Sequence, residues 1–443
     1  IVNLLQFLRI GHKVVYRQFF WLFFLVVICF YLPKALQAKT YWLDPAANNT
    51  HRLCTANLPC NSLAYIVKHL DPGDEVILKE GQYPPMIIAD IQGTKNKPIA
   101  IKAAGKGVVF KPDELFNNRD LVEFRHVQHV VFSGARFSQA KRAAIRLNNS
   151  TDVQLVDNHI VNSGVWGVLT NHSNNIAMVN NTIIGASSQH GIYISNSGDN
   201  VWIKNNTIEN ALGSGIHING DLSMGGGKFT KGDGIISNVY IANNAIANVG
   251  IKGGAAINID GGENVEIINN ILWALNAAAI TVFKGDGAIP SKNIAIKNNL
   301  IYLKENSRSA LIIKNSNGPV YFSQNIVLSK NNVRGAFEIT TQANQFAALF
   351  DSATSAFNNK NRALPIISEQ NLFALKGDFA SVDAKRVLTL NEWKKAPYEL
   401  DFTSVSLNFE ELLPSARQIY QSKATEQLAG FFQKIAASKN SSE

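Results

Sequence analysis

The chain has 443 residues, more than one compact core usually holds, so it is either two domains or an elongated architecture. Apolar residues make up 46% and charged residues 17%, which excludes a disordered chain and a polytopic membrane protein. The net charge of +9 falls to +5 once the four basic residues of positions 1–38 are set aside, and no nucleic-acid partner is expected from so mild a charge.

Residues 1–38 have the basic, apolar and small-residue order of a signal peptide. Arg9, Lys13 and Arg17 precede the run from Phe19 to Leu32, and Pro33 and Ala38 follow it. The 14-residue run is short for a bilayer span, and an uncleaved anchor is the alternative. Export predicts a secreted or periplasmic protein with no membrane contact after cleavage. Cys54 and Cys60 remain in the mature chain, with five residues between them. In an oxidising compartment they are expected to form a local disulfide; two free thiols are the alternative.

Residues 39–110 read as an N-terminal cap and first coils. NSLAYIVKHLDPGDEVILKEGQYPPMII is a short amphipathic helix, a Pro-Gly turn and a strand, and GTKNKPIAIKAAGKGVVFKP leads onward. Residues 111–408 are dominated by a repeat. Of 49 asparagines, 33 lie between Asn148 and Asn332, and each unit pairs two short alternating strands with an Asn, two residues and an apolar one. The recurring positions are Asn158, Asn181, Asn206, Asn244, Asn270, Asn299 and Asn325, spaced by 23, 25, 38, 26, 29 and 26 residues. Period-2 alternation without helical periodicity predicts an all-β chain, a right-handed parallel β-helix solenoid. Successive asparagines would lie about 4.8 Å apart as a ladder, and Asn tolerates the left-handed backbone of a sharp corner. Residues 409–443 are expected as a C-terminal helix and tail, with Leu412, Ile419, Leu428, Phe431, Phe432 and Ile435 at helical spacing.

The opening segments resemble secreted carbohydrate-active β-helix proteins, in particular the chondroitinase-B-like polysaccharide lyases. TLNEWKKAPYELDFTSVSLNF resembles the segment that closes such bacterial β-helices. The resemblance implies a capped β-helix and a polysaccharide ligand. It also implies a calcium site of Asn and acidic residues with a Lys and Arg pair. Asn219, Asn258 and Asp260 resemble that ligand set, but no second outward acid and no Lys at the matching offset accompany them.

Aligning the repeat turns Ile192, Ile194, Ile216, Ile218, Ile257 and Ile259 inward, so the residues between them face out. One outward column reads Arg146, Leu169, Tyr193, His217, Asn258, Thr281, Ile312, and the next reads Asn148, Asn171, Ser195, Asn219, Asp260, Phe283, Lys314. His190 precedes its strand and Lys284 follows another, while His159 and His172 lie off the columns and are read as structural. The insertion from Asp221 to Ser237 follows the His217 strand and is expected to wall a groove, with Lys228 beside the columns and Phe229 offering a face to a sugar ring.

Breaking a uronic-acid chain by β-elimination requires a neutralised carboxylate, a base and a proton donor to the leaving oxygen. His217, Tyr193, Arg146 and Lys284 are the catalytic candidates. His190, Asn219, Asn258, Asp260, Lys228 and Phe229 are the substrate-binding candidates. His217 is read as a base with a pKa near 6.5, Tyr193 as donor or base, and Arg146 or Asn258 as the carboxylate ligand. This set resembles the metal-independent Tyr/His chemistry of polysaccharide lyases and mannuronan epimerases. No cofactor is expected, with calcium on Asn219, Asn258 and Asp260 as the alternative. The epimerase signature Asp-Pro-His-Asp is absent, and hydrolysis would need two placed carboxyl groups where only Asp221, Asp260 and Asp286 lie near. The sequence therefore points to a monomeric lyase of an acidic polysaccharide. Epimerase or hydrolase chemistry, and non-catalytic glycan binding or a surface-structural role, are the alternatives.

Overall fold

The computed structural model describes residues 37–48, 53–115, 119–224, 232–340, 366–383, 386–394 and 403–440. The signal segment lies outside them apart from its last two residues, and Lys228 and Phe229 lie outside them as well. Within the compact unit Thr40–Glu443 the chain winds as a right-handed parallel β-helix of three sheets, each with 12 strands. A coil contributes one strand to each sheet, as in Ala143–Asn148, Thr151–Val156 and His159–Ser163. These three strands mark the first, second and third sheets. Among the described strand pairs only the last of the first sheet, Ala380–Val382 with Arg386–Leu388, is antiparallel.

The period-2 pattern explains the stacking. Ile192, Ile216, Ile257 and Ile280 pair coil to coil and are fully buried. Aromatic side chains close the ends of this aliphatic column. Tyr83, Phe110 and Phe137 stack near the start, while Phe337, Phe373, Phe379 and Trp393 cluster near the finish. The Tyr83 hydroxyl donates to the carbonyls of Leu43 at 3.0 Å and Lys79 at 2.7 Å, which ties the first coil to the cap. The expected cap helix is Leu63–Val67, begun by the Ser62 side chain, but a strand at Thr40–Leu43 precedes it and pairs with Glu75–Leu78. Cys54 and Cys60 are disulfide-bonded and buried in this cap.

The asparagine ladder forms as expected and runs further. Each Nδ2 donates to the next Oδ1 from Asn158 through Asn325, at 3.0 Å per rung. Asn371 adds a rung at 3.2 Å, and its backbone N–H then donates to Ser404. The corner geometry differs from the expectation. The positive φ belongs to the residue before each rung, such as Asn180, Asn205 and Asn243. The rung itself is left free to bond its neighbours. A second ladder, from Asp152 through Asn175, Asn200, Asn238, Asn264 to Asn293, lines the outside six positions earlier.

The C-terminal segment is two helices, Phe409–Ser422 and Leu428–Asn440, broken at Lys423 in the left-handed region. They lie along the third sheet, where Phe409, Leu412 and Leu428 share a buried cluster with Trp273 and Tyr302. The Tyr420 ring stacks on Trp273 at 4.8 Å. No helix among the described residues is long and apolar enough to cross a membrane.

Candidate active site

The pairing register of the first sheet reproduces the outward columns. Arg146 neighbours Leu169, Leu169 neighbours Tyr193, Tyr193 neighbours His217, and His217 neighbours Asn258. Asn219 sits beside Asp260 in the next column. Four rings therefore converge on one outer face. Tyr193 lies 5.2 Å from the rings of both His190 and His217, and Trp166 stacks on Tyr193 at 5.7 Å.

The hydrogen bonds of the histidine pair are directional. The backbone N–H of Ser214 donates to His190 Nδ1 at 3.0 Å, so neutral His190 carries its proton on Nε2. That proton faces His217 Nδ1 at 3.0 Å, which must accept it, and His217 is then protonated on Nε2. His217 Nε2 lies 3.3 Å from the side-chain amide of Asn258, and a protonated Nε2 requires the amide oxygen there. Burial holds both rings neutral: it pushes His190 down to about 4 and His217 down to about 3, with the neighbouring His190 adding to the effect on His217. This corrects the expectation of a His217 base titrating near 6.5. The ring is an N–H donor with no free lone pair, because both nitrogens are engaged.

Tyr193 is held through its hydroxyl oxygen. Asn219 Nδ2 donates to its hydroxyl oxygen at 3.0 Å, which leaves the phenolic proton free to point elsewhere. Burial first, and then the charges of Asp286, Asp221 and Asp260, push Tyr193 up to about 12. Its hydroxyl is therefore protonated at neutral pH.

Asp260 anchors the turn that follows Phe283. Its carboxylate accepts backbone N–H bonds from Gly285 at 2.7 Å, Asp286 at 2.8 Å and Gly287 at 3.1 Å, which clamps the turn after Phe283. Burial raises its pKa and these three bonds oppose the rise. The clamped turn in turn touches the insertion, where Ala288 N–H donates to Gly234 O at 3.0 Å. Gly261 has φ +63°, and a Cβ there would stand 2.6 Å from Gly287 Cα, so only glycine lets the two layers meet. Of the three residues considered for calcium, only Asp260 is charged and both its oxygens hold backbone donors. The described residues contain no cluster of three His, Cys, Asp or Glu that could hold a metal. That donor set does not fit a calcium ion.

The remaining candidates lie apart. Arg146 is two coils from Tyr193, behind the buried Leu169, and faces Glu123 at 3.4 Å and Asp120 at 3.9 Å. Lys284 is exposed at the clamped turn, three coils from Tyr193. His159 and His172 lie off the columns as expected. Trp166 and Ser214 were not anticipated; Trp166 opens its column strand and Ser214 lies two residues before the next one, outside the positions that the column alignment counts. Cavities of about 650 and 410 Å³ lie elsewhere, the first between the C-terminal helices at Ile419 and Phe431, the second around Tyr302 and Lys304.

The family model described as a right handed beta helix region matches residues 99–231 and 167–350. The chain belongs to this right-handed β-helix family. Among solved structures it resembles a glycoside hydrolase, with 9% identity, TM-score 0.50, and 82% of this chain and 100% of that one covered. It also resembles a mannuronic acid specific polysaccharide family 6 lyase from human gut microbiota, with 13% identity, TM-score 0.44, and 90% and 100% covered. The surface adhesin PfbA of Streptococcus pneumoniae is a third, with 11% identity, TM-score 0.48, and 79% and 94% covered. At these identities the likeness is one of fold. No curated protein sequence matches the chain.

Proposed function

We propose that the protein is an exported lyase that cleaves an acidic, uronic-acid-containing polysaccharide by β-elimination on the Tyr193–His217 face. One observation carries the reading: a protonated phenol whose oxygen is held by Asn219 and whose own proton is left for another acceptor. With its oxygen turned to His217 Nε2–H, the Asn258 amide keeps its N–H groups, two coils from Tyr193, as hydrogen-bond donors for the uronate carboxylate. Tyr193 passes its proton to the leaving glycosidic oxygen while its oxygen takes the proton from the carbon beside the carboxylate. The phenol is regenerated, and no tyrosinate forms next to Asp221, Asp260 and Asp286. The buried disulfide fits an oxidising compartment. The reaction is written without a metal, so chelators should leave it unchanged.

A second reading, non-catalytic glycan binding, is favoured by a different observation. Both nitrogens of His217 are engaged, and three carboxylates surround Tyr193, a setting that attracts no anion by charge. Incubation with a panel of uronic-acid polymers, followed by ultraviolet absorbance of the unsaturated product, separates the two. Turnover that Tyr193→Phe lowers by about 10²–10⁴ supports the lyase. Binding without product on any polymer supports the second reading and overturns the first.

A further inference from the structure

We propose that Arg146 forms an anion-binding subsite of the same face, taking a carboxylate or a sulfate ester on the sugar two units along from the one at Tyr193. The inference rests on the polysaccharide reading above but not on its chemistry.

Three arginines gather on the coils before Tyr193, and two of them are satisfied. Arg142 forms a two-pronged pair with Asp120, through Nε at 2.7 Å and through Nη2, and Arg125 donates to Glu123 at 2.7 Å. Arg146 is held differently. It makes only loose ion pairs, at 3.4 Å to Glu123 and 3.9 Å to Asp120, and its Nε is buried with no hydrogen-bond partner among the described residues. A guanidinium carries five donors in a rigid fork that matches a planar or tetrahedral oxyanion. Here two acids steady the guanidinium through Nη1, and Nε keeps a donor without a partner among the described residues.

The surrounding charge points the same way. Arg125, Arg142 and Arg146 outnumber Asp120 and Glu123, and the exposed Arg119 and Lys141 lie beside them in sequence. The column then reads a cation at Arg146, a buried apolar residue at Leu169 and a hydroxyl at Tyr193. Two coils span about 10 Å, close to two sugar units. A glycan laid along the column therefore meets the Arg146 guanidinium about one disaccharide away from Tyr193.

The test measures binding by calorimetry in the Tyr193→Phe protein, so that turnover does not intervene. The probes are uronic-acid oligosaccharides, their sulfated counterparts and the same oligosaccharides with carboxyls reduced to alcohols. Arg146→Ala should weaken the acidic probes about tenfold and leave the reduced one unchanged. Arg146→Lys should recover only part of the loss, because the fork is gone. Whether the carboxylated or the sulfated probe responds names the anion. Equal binding of every probe with and without Arg146, an equal loss on all of them, or no binding of any acidic probe overturns the subsite. If Arg146→Ala does not fold, the Arg146→Lys affinities and their salt dependence decide. Absence of unsaturated product from the unsubstituted protein would sink the lyase reading alone and leave the subsite standing.

Discussion

At the scale of single residues, burial decides what the histidines do. A ring that is neutral when folded and protonates near 6.5 when unfolded makes the unfolded chain bind more protons between those values, so stability falls as pH falls. The window runs from about 6.5 down to about 4 for His190 and about 3 for His217. The loss should be on the order of 2 kcal/mol for each ring by pH 5. Urea midpoints at pH 7 and pH 5 check this: His190→Gln should shrink the difference between them, and an unchanged difference would contradict the assignment. Asn206 shows a second effect of burial. It appears in sequence as one rung among seven, yet its loss removes the acceptor of the Asn181 backbone N–H, one of two acceptors of Asn181 Nδ2 and the side-chain donor to the Met178 carbonyl. Asn206→Ala should therefore cost about 3–5 kcal/mol, no less than the roughly 2–5 kcal/mol of Ile216→Ala. Thermal unfolding of the two variants side by side measures the comparison.

At the scale of elements, two docked segments depend on few contacts. The turn after Phe283 is held to the sheet by three backbone donors on Asp260. Asp260→Ala should free that turn and expose its amides to hydrogen exchange, with the midpoint of the whole solenoid falling by only a few degrees. Protection of Gly285 and Gly287 equal to that of the unsubstituted protein would show that the clamp is held by something else. The C-terminal helices rest on the third sheet through Trp273, Tyr302 and Tyr420. Trp273→Ala removes the stacked partner and should cost about 3–5 kcal/mol, read as early proteolysis near Lys423. The apolar spacing of this segment was legible, but not its break, because nothing local marks Lys423 as left-handed.

At the scale of the whole molecule, each coil touches mainly the coils before and after it, so stability is a sum over neighbours. The disulfide belongs to one end of that series. Closing a short loop contributes about 2 kcal/mol, so reduction should loosen the cap around Cys54 and Cys60 first and leave the central coils intact. A split unfolding transition under reducing conditions, followed by circular dichroism, is the expected result. A single cooperative loss of all β structure would mean that the cap and the coils unfold together.

The repeat carried the fold because a solenoid writes its tertiary contacts into its period: residues one coil apart in space are about 25 apart in sequence, and the outward columns follow from alternation alone. The candidate face was legible to the same extent. Tyr193, His217, Asn219, Asn258 and Asp260 fall into neighbouring columns by counting. What those side chains do was not legible, because protonation depends on neighbours that alternation does not specify. The Ser214 amide fixes the His190 tautomer, and through it His217 becomes a donor instead of a base. Asp260, a ligand candidate by residue type, proved to be the anchor of a turn 25 residues downstream. Arg146 shares a column with Tyr193 but is separated from it by Leu169 and held by acids from an earlier coil. Period sets which residues line up; only packing sets which charges survive burial and which hydrogen bonds remain unspent.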